Sequence, residues 1–562
     1  MGDIIPIFVD SDILPGDTVQ MDMAELVRMA TPIYPIMDNL YMDIYWFFVP
    51  HRLVWDNWPK FWGENDEPWT QETEYEIPQI TAPQNGWNEG TIADYMGVPT
   101  KVGNLSINAL PFRAYCKIWN DWFRDENLKS NCHIYKDETT RTGTNTGDYV
   151  LNAEFGAMPL KAAKMHDYFT SALPEPQKGD PVNLPLGGTA ELSGGTATTT
   201  ANGLLKVGTQ SNTHTYGNGG LKFNNNQTIA SQTGYLFGVQ NISNYNSNTL
   251  DARKVTQFTT PNISQSTTII EPTLLSTSGE LKPNNLYANP TDATYTTTLN
   301  GLTLDLSTAT AATISMLRTA FAVQRYLENA GLHGTRYIEY IRSVFGVTSS
   351  DARMQRAEYL GGERVPINID QIIQTSSTDA TSPQGNTAGF SCTINRDSMF
   401  TKSFEEHGTL MGLIVIRTEH TYQQGLKKMW TRRKWTDFYN PFFATLSEQP
   451  VYNENIYAQG TSVDKEAFGY QEAWADYRYK ENYVSGYMRS NATGSLDVWH
   501  FADEYNQLPT LSSAWIDEPY ENVDRTIAVT SQLTHQFIGD FFFKCYYTRP
   551  MPVYSIPGLE RL

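Results

Sequence analysis

The stretch YMDIYWFFVP, Tyr41–Pro50, decides the fold class of this chain. It is a nearly continuous run of aromatic and β-branched residues, without the polar alternation of a half-exposed strand. Such a run is typical of a β-strand that is covered on both faces. Proline has no backbone N–H for a sheet hydrogen bond, so Pro50 ends the run. The sequence therefore predicts a doubly buried strand over residues 41–50.

Further strand signals lie on both sides of this stretch. Ile4–Val9 is a short apolar segment, and the turn LPGD at 14–17 follows it. Met411–Ile416 (MGLIVI) and Phe537–Tyr547 (FIGDFFFKCYY) are two more strands. Short strands punctuated by Gly, Pro and Asn fill most of the rest, which predicts a mainly β protein. The sequence shows no fixed repeat, which argues against propellers and solenoids.

Two segments carry helical signals within this β pattern. Residues 109–126 place Pro111 in a first helical turn, where its missing N–H costs nothing. Residues 313–330 have the 3.6-residue period of a helix, and Gly331 is the expected C-terminal stop. The apolar face of this second helix comprises Ile314, Leu317, Ala320, Phe321 and Leu327.

Length and composition point to a protein that contacts other proteins. The chain has 562 residues, whereas single cores stop growing near about 250–300 residues, so we expect two domains or large insertions. Charged residues make up 18% and aromatic residues 12%. Soluble domains usually carry about 25% charged residues, and large aromatics favour interfaces. The net charge of -20 argues against bulk DNA binding by this chain alone.

Other site classes are weakly represented. The four cysteines Cys116, Cys132, Cys392 and Cys545 match no zinc spacing, so we expect buried free thiols. No protease, hydrolase or nucleotide-binding motif is present, and no apolar run reaches the ~18 residues of a membrane span. The start of the chain does not resemble a secretory signal. We expect no catalytic site, cofactor or metal; the one metal alternative is Ca²⁺ held by an acidic cluster such as Glu64, Asp66 and Glu67.

The strongest charge feature is TYQQGLKKMWTRRKWTDFY at 421–439. Cations bind phosphates and aromatic rings stack on unpaired bases, each stack contributing about 1–3 kcal/mol. A solvated loop, or salt bridges to an acidic neighbour, is the alternative interpretation. The candidate DNA contacts are Lys427, Lys428, Trp430, Arg432, Arg433 and Lys434.

Four long stretches resemble the major capsid proteins of the Microviridae, in particular the gokushovirus branch. They run from IPIFVDSDILPGD to HRLVWDNWPKF at 5–61, from LRTAFAVQRYLENAGLHG to GGERVPI at 317–367, QEAWADYRYKENYVSGYMRS at 471–490, and TRPMPVYSIPGL at 548–559. They occur in the family's order and cover about a quarter of the chain. Members usually have a longer N-terminal arm before the PIFVD motif, which starts here at Pro6.

The resemblance implies an eight-stranded antiparallel jelly roll of the viral capsid type, with long inserted loops and a few helices. Sixty copies would form a T=1 icosahedral shell around circular single-stranded DNA, in a virion made in the cytoplasm of a bacterial host. Implied partners are the chain itself, the DNA, a small basic DNA-binding protein, an internal scaffolding protein, a pilot protein and a bacterial surface receptor. Enzymatic activity and membrane insertion are not implied.

The resemblance also suggests a division of the chain. Residues 1–165 would begin the jelly roll, 166–312 would form a surface protrusion at the three-fold axes, and 313–562 would complete the jelly roll. The segment 187–250 is nearly uncharged and rich in Thr, Asn, Gly and Ser, which suits an ordered polar β insertion or a flexible loop. Candidate receptor contacts there are Tyr216, Tyr235 and Tyr245.

Inter-subunit contact is expected from the tryptophan-rich region that follows the first strands. Its candidate residues are Trp55, Trp58, Trp62, Trp69 and Trp87, with ordinary core packing as the alternative.

A different function class also remains open, because abundant aromatics and Asn/Thr loops suit sugar stacking. A carbohydrate-binding or carbohydrate-cleaving β protein is therefore the second hypothesis.

Overall fold

A computed structural model describes residues 1–64, 75–147, 149–180, 182, 314–334, 336–369, 375, 384, 391–528 and 535–551. It also describes the backbone of seven short strands between Glu191 and Asp305 and of two between Gln371 and Phe390. The chain divides into two compact units. The first comprises Met1–Pro181 with Gln324–Leu562, and the second is Val182–Val323.

Two antiparallel sheets form the centre of the first unit. Their strands are β1 (Ile5–Ile13), β2 (Thr18–Met29), β3 (Leu40–Pro50), β4 (Glu358–Pro366), β5 (Thr393–Ser403), β6 (Gly408–Thr418) and β7 (Phe537–Thr548). One sheet has the strand order β1-β6-β3-β4, and the other has β5-β2-β7. The predicted mainly β class is confirmed. The described part of these two sheets has seven strands, and the eight-stranded arrangement stays a prediction.

Strand β3 is covered on both faces, as its sequence predicts. Met42, Ile44 and Trp46 point into the apolar core between the two sheets. Phe47 and Val49 point the other way, into a second core that covers the outer face of the four-stranded sheet. Because alternate side chains of a strand point to opposite faces, a central strand between two cores is mainly apolar. The one carboxylate of β3, Asp43, forms salt bridges with Arg364 and Arg417.

Trp46 is the largest side chain in the core between the sheets, and it is fully buried. Its ring centroid lies 5.4 Å from that of Phe8, 5.6 Å from Phe400 and 5.9 Å from Phe543. These partners come from β1, β5 and β7, so one indole ring connects both sheets. Aromatic pairs at such distances add about 0.5–1.5 kcal/mol beyond area burial.

The second core contains the helix that the sequence places near residue 110. Helix α1 spans Leu110–Ile118 with Pro111 in its first turn, and a π-helical segment continues it over Trp119–Phe123. The Tyr115 hydroxyl donates to the Ile4 carbonyl at 2.7 Å and accepts from the Leu160 N–H at 3.0 Å. The helix prediction is thus confirmed, with its end a few residues earlier than expected.

The second predicted helix is also present, but its expected C-terminal stop is wrong. Helix α2 spans Ile314–His333 and runs through Gly331. A Cβ at Gly331 would lie 3.3 Å from Cδ1 of Leu173, so this glycine permits close packing. The stop is supplied by Gly334, whose φ of +85° favours glycine. Phe321, from the predicted apolar face, is 64% exposed.

Short elements complete the described chain. The remaining strands are Gln79–Thr81, Ser106–Asn108, Arg141–Thr142, Glu191–Ser193, Ala197–Thr200, Leu204–Val207, Phe237–Val239, Phe258–Thr259, Thr294–Thr297, Thr303–Asp305, Gln371–Ile373, Thr387–Phe390, Thr421–Tyr422, Gln449–Tyr452, Ala467–Gln471 and Asn482–Tyr483. Short α-helices are Trp58–Phe61, Ile92–Tyr95, Tyr149–Asn152, Tyr337–Tyr340, Asn453–Ile456, Ala475–Arg478 and Glu521–Asp524, and a π-helical turn spans Ile341–Phe345. The 3₁₀ turns are His51–Leu53, Ala153–Phe155, Lys428–Trp430, Trp435–Asp437, Pro441–Phe443, Ser462–Lys465, Gly486–Met488 and Asp497–Trp499.

Candidate functional site

The predicted basic cluster and the segment 471–490 contact each other. Arg432 forms a salt bridge with Asp476. Lys427 Nζ lies 3.8 Å from a carboxylate oxygen of Glu481. In addition, the indole N–H of Trp474 donates to the Phe443 carbonyl at 2.9 Å. Two stretches that are separate in the sequence thus form one surface.

Several cations of the cluster are already engaged within the chain. The Lys427 ammonium lies 3.9 Å from the ring centroid of Tyr483, and the Arg432 guanidinium lies 4.3 Å from that of Tyr477. Burial lowers the pKa of Lys428. These three lysine and arginine side chains also line a cavity of about 150 Å³ together with Asp476 and Glu481. They have acidic partners or partial burial, so little of their charge faces solvent.

The other two cations of the cluster are placed differently. The side chains of Arg433 and Lys434 are exposed, and neither forms a salt bridge with any residue that the structure describes. Their backbone N–H groups each donate to the Asp437 carboxylate at 2.8 Å, which fixes the turn that carries them. These hydrogen bonds hold the pKa of Asp437 below its usual value. Arg433 and Lys434 are therefore the cations of this cluster most open to an outside phosphate.

Exposed aromatic rings surround this cluster, and we call them the aromatic patch. Each of its members has between 43% and 91% of its surface exposed, which is unusual for side chains of this size. Phe442 is the extreme case at 91%. The patch comprises Trp430, Trp435, Phe438, Tyr439, Phe442, Tyr477 and Tyr479.

A buried polar network is centred on His420, the residue directly before the segment 421–439. His420 is fully buried, with Nδ1 3.0 Å from Asp503 Oδ1 and Nε2 3.1 Å from Glu518 Oε2. Burial alone would lower the pKa of His420, but the two carboxylates outweigh it and raise the pKa to about 10. Lys164 Nζ lies 3.2 Å from the second oxygen of Asp503. The paired charges make this network a structural anchor.

The tryptophan-rich region is divided between core and surface. Trp55 and Trp87 are fully buried within the single chain, which favours the core-packing alternative for these two residues. Trp55 packs against Trp58, at 6.0 Å between ring centroids, and Trp87 donates its N–H to the Phe155 carbonyl. Trp62 is 60% exposed and half-buried Trp58 packs against it, so these two stay candidates.

Some predicted site residues lie outside the described part of the chain. They are Trp69, the calcium candidates Asp66 and Glu67, and the receptor candidates Tyr216, Tyr235 and Tyr245. Among the described residues, no group of three or more His, Cys, Asp or Glu side chains is arranged to hold a metal ion. None of the described helices is long and apolar enough to cross a membrane.

All four cysteines are free thiols, as expected, although only two of them are buried. Cys116 and Cys132 lie in the core around helix α1, whereas Cys392 and Cys545 are half-exposed. Burial raises the pKa of Cys116 well above its ordinary value, which keeps this thiol protonated and unreactive.

Sequence reasoning missed Phe442 and the tyrosines of the aromatic patch. They lie just after the basic cluster or within the segment 471–490. In the sequence, this segment is distinguished only by its resemblance to Microviridae capsid proteins. Hydrophobic periodicity does not predict these exposed rings, because the patch is built from short turns rather than long helices or strands.

Comparisons with known proteins identify three viral capsid proteins as relatives. The capsid protein VP1 of Spiroplasma virus 4 is 41% identical over 567 residues, covering 100% of this chain and 93% of the relative. VP1 of Bdellovibrio phage phiMH2K is 41% identical, covering 99% and 92%, and VP1 of Chlamydia phage 1 is 38% identical, covering 100% and 93%. The resemblance noted in the sequence is thereby confirmed. A phage family model described as capsid protein (F protein) matches residues 1–559, and the chain belongs to this family.

Proposed function

We propose that this virion protein builds the shell of a small bacteriophage by self-association around single-stranded DNA. The observation that carries the proposal is the family match over nearly the whole chain. The family is one of structural capsid proteins rather than of enzymes. The exposed aromatic patch supports the proposal, because large exposed apolar patches are typical of association surfaces.

The finer architecture belongs to the same proposal. We expect sixty copies in a T=1 icosahedral shell, each with an eight-stranded jelly roll. Two facing antiparallel sheets, of four and three described strands, support a jelly roll because that fold stacks two such sheets and leaves long loops at their ends.

Electron microscopy and sedimentation of the purified full-length chain test self-association. We expect closed particles of uniform diameter, or oligomers that convert to particles when the other virion proteins are present. A chain that stays monomeric in every assembly mixture and instead binds or cleaves a sugar would favour the carbohydrate hypothesis.

The genome contact is proposed to use Arg433 and Lys434, the two exposed cations of the basic cluster, which form no salt bridge among the described residues. Replacing both cations with glutamine should weaken binding of a poly-dT oligonucleotide. Each lost phosphate contact on a single strand reduces the slope of log affinity against log salt by about 0.7, so the expected change is about 1.4. Filter binding by the full chain at several salt concentrations measures this slope.

The matched control replaces Arg396 and Lys544, two exposed cations of the three-stranded sheet, with glutamine. This control should keep the wild-type salt slope. An unchanged slope in the Arg433→Gln/Lys434→Gln variant would contradict the proposed DNA contact.

A second cation source is proposed for the genome, because the chain itself carries a net charge of -20. A small basic DNA-binding protein fits this need, and polyamines or divalent metal ions would serve the same purpose. An internal scaffolding protein and a pilot protein are further proposed partners. Mass spectrometry and cation analysis of purified particles test this, and DNA-filled particles without any added cation source would contradict it.

Host attachment is proposed for the polar insertion around the unit Val182–Val323. Deletion of residues 190–300 should leave particle formation intact and abolish adsorption to the bacterial receptor, because the two central sheets lie outside this segment. Adsorption of purified particles to host cells measures the effect. Loss of all particles, or unchanged adsorption, would contradict the proposal.

A further inference from the structure

The aromatic patch has the physical character of a protein contact. Three of the five cations of the basic cluster have acidic partners or are partly buried, so the patch presents mainly apolar rings. Aromatic side chains and arginine are enriched at protein interfaces, whereas unpaired lysine is depleted there. A nucleic acid that covered the whole patch would need a row of free cations, whereas Arg433 and Lys434 are the exposed cations that the cluster offers.

The area of the patch is sufficient for a stable contact. A large aromatic side chain presents about 150–250 Å² when fully exposed. With the exposed fractions found here, the seven rings present on the order of 800 Å² of surface. One side of a standard protein interface buries about 800 Å². The patch therefore matches one half of a specific interface.

The net charge of the two segments that carry the aromatic patch indicates which kind of surface would bind it. Residues 427–446 and 472–487 contain seven Lys and Arg against four Asp and Glu, a local net charge of +3. The whole chain carries -20. Two copies of the patch would repel each other weakly, whereas the patch and the acidic remainder of a neighbouring copy would attract. Complementary charges of this kind fix partner and orientation.

We infer that the aromatic patch is one half of a heterologous contact between two copies of this chain. The other half is a different, acidic surface on the neighbouring copy. A heterologous contact joins two different surfaces, and repeated copies of it form a closed ring when the rotation between neighbouring copies returns to the first one. Such rings match the rotational axes of a shell. The inference rests on the proposed self-association and adds the surface used, its asymmetry and its charge.

The substitution Phe442→Ser tests the contact. Phe442 lies in the turn Pro441–Phe443, whose position is fixed by Asn440 Oδ1 accepting from the Phe442 N–H at 3.1 Å. Its ring is 91% exposed, so the fold does not depend on it. We expect the same thermal unfolding curve as wild type and at least a ten-fold loss of oligomers and particles in sedimentation. The matched control, Phe542→Ser, removes a 67% exposed ring from the three-stranded sheet and should assemble normally.

A mixing experiment tests the asymmetry of the contact. The Phe442→Ser chain keeps its acidic face, so a wild-type patch should still bind it. We therefore expect tagged Phe442→Ser chains to enter complexes with wild-type chains. Exclusion of these chains from every mixed complex would overturn the heterologous geometry.

The outcomes separate this inference from the proposed function. Wild-type chains that never associate would contradict self-association itself. Wild-type assembly together with normal Phe442→Ser assembly, or equal losses in Phe442→Ser and Phe542→Ser, would overturn the special role of the patch. Normal particles of Phe442→Ser with reduced DNA content would overturn it too, and would assign the patch to the genome.

Discussion

Replacing His420 with alanine is expected to lower the free energy of unfolding by about 3–5 kcal/mol, the usual cost of removing one partner from a buried charge pair. Both ring nitrogens of His420 lie at hydrogen-bond distance from carboxylate oxygens, of Asp503 and Glu518. The ring is therefore best satisfied as a doubly protonated cation. Its loss removes the shared cation: Asp503 keeps its ion pair with Lys164, whereas Glu518 keeps only hydrogen bonds from the N–H and hydroxyl of Thr418 among the described contacts.

The effect of this substitution should depend on pH in a defined direction. The folded pKa of His420 is about 10, whereas an unfolded histidine titrates near 6.5. The stabilisation is therefore fully present below about pH 6.5 and is lost as the pH rises toward 10. Denaturant unfolding of wild type and His420→Ala at pH 6.5 and pH 10, followed by circular dichroism, measures this difference.

His166→Ala serves as the control, because this histidine is exposed. It should unfold like wild type at both pH values. Equal stability of the His420→Ala variant, or a loss that stays constant between pH 6.5 and pH 10, would show that His420 is not a charged anchor.

Replacing Trp46 with alanine is expected to cost about 3–5 kcal/mol, since it empties the centre of the core between the two sheets. The cavity should not close easily, because three rings from three strands surround the indole. Gly412 on β6 also belongs to this arrangement. A Cβ there would lie 3.0 Å from the indole ring, so Gly412→Ala should overpack the same site.

Trp46→Phe is the matched control for this prediction. The indole N–H of Trp46 has no hydrogen-bond partner in the described structure, so its removal sacrifices no hydrogen bond. We expect Trp46→Phe to lose less than half as much stability as Trp46→Ala in the same denaturant measurements. Similar losses in both variants would mean that core volume is not what Trp46 contributes.

The sequence predicted the elements whose apolar pattern is local. The runs at Tyr41–Pro50 and Phe537–Tyr547 coincide with β3 and β7, because a buried strand needs apolar residues wherever it lies. The pairing of strands was not predictable from the residues, since β7 pairs with β2 across most of the chain. The stop of α2 was misplaced because Gly331 and Gly334 look alike in sequence, and only packing against Leu173 separates their roles.

The candidate site was predictable in its basic part only. The cluster of cations at 427–434 stands out in a chain of net charge -20. Its neutralisation by Asp476 and Glu481 depends on a contact across more than forty residues. The network of His420 is still less visible, because its carboxylates lie 83 and 98 residues away. Trp55 and Trp87 show the same limit, since composition does not separate core indoles from exposed ones.

The pairing of β2 with β7 also determines when this protein finishes folding. Strand β2 (Thr18–Met29) leaves the ribosome long before its partner β7 (Phe537–Thr548). At synthesis rates of about 5–20 residues per second, some 500 intervening residues delay β7 by roughly 25–100 s. During that interval the backbone N–H and C=O groups along one edge of β2 lack the strand that will pair with them. The three-stranded sheet can therefore be completed only after β7 has been synthesised.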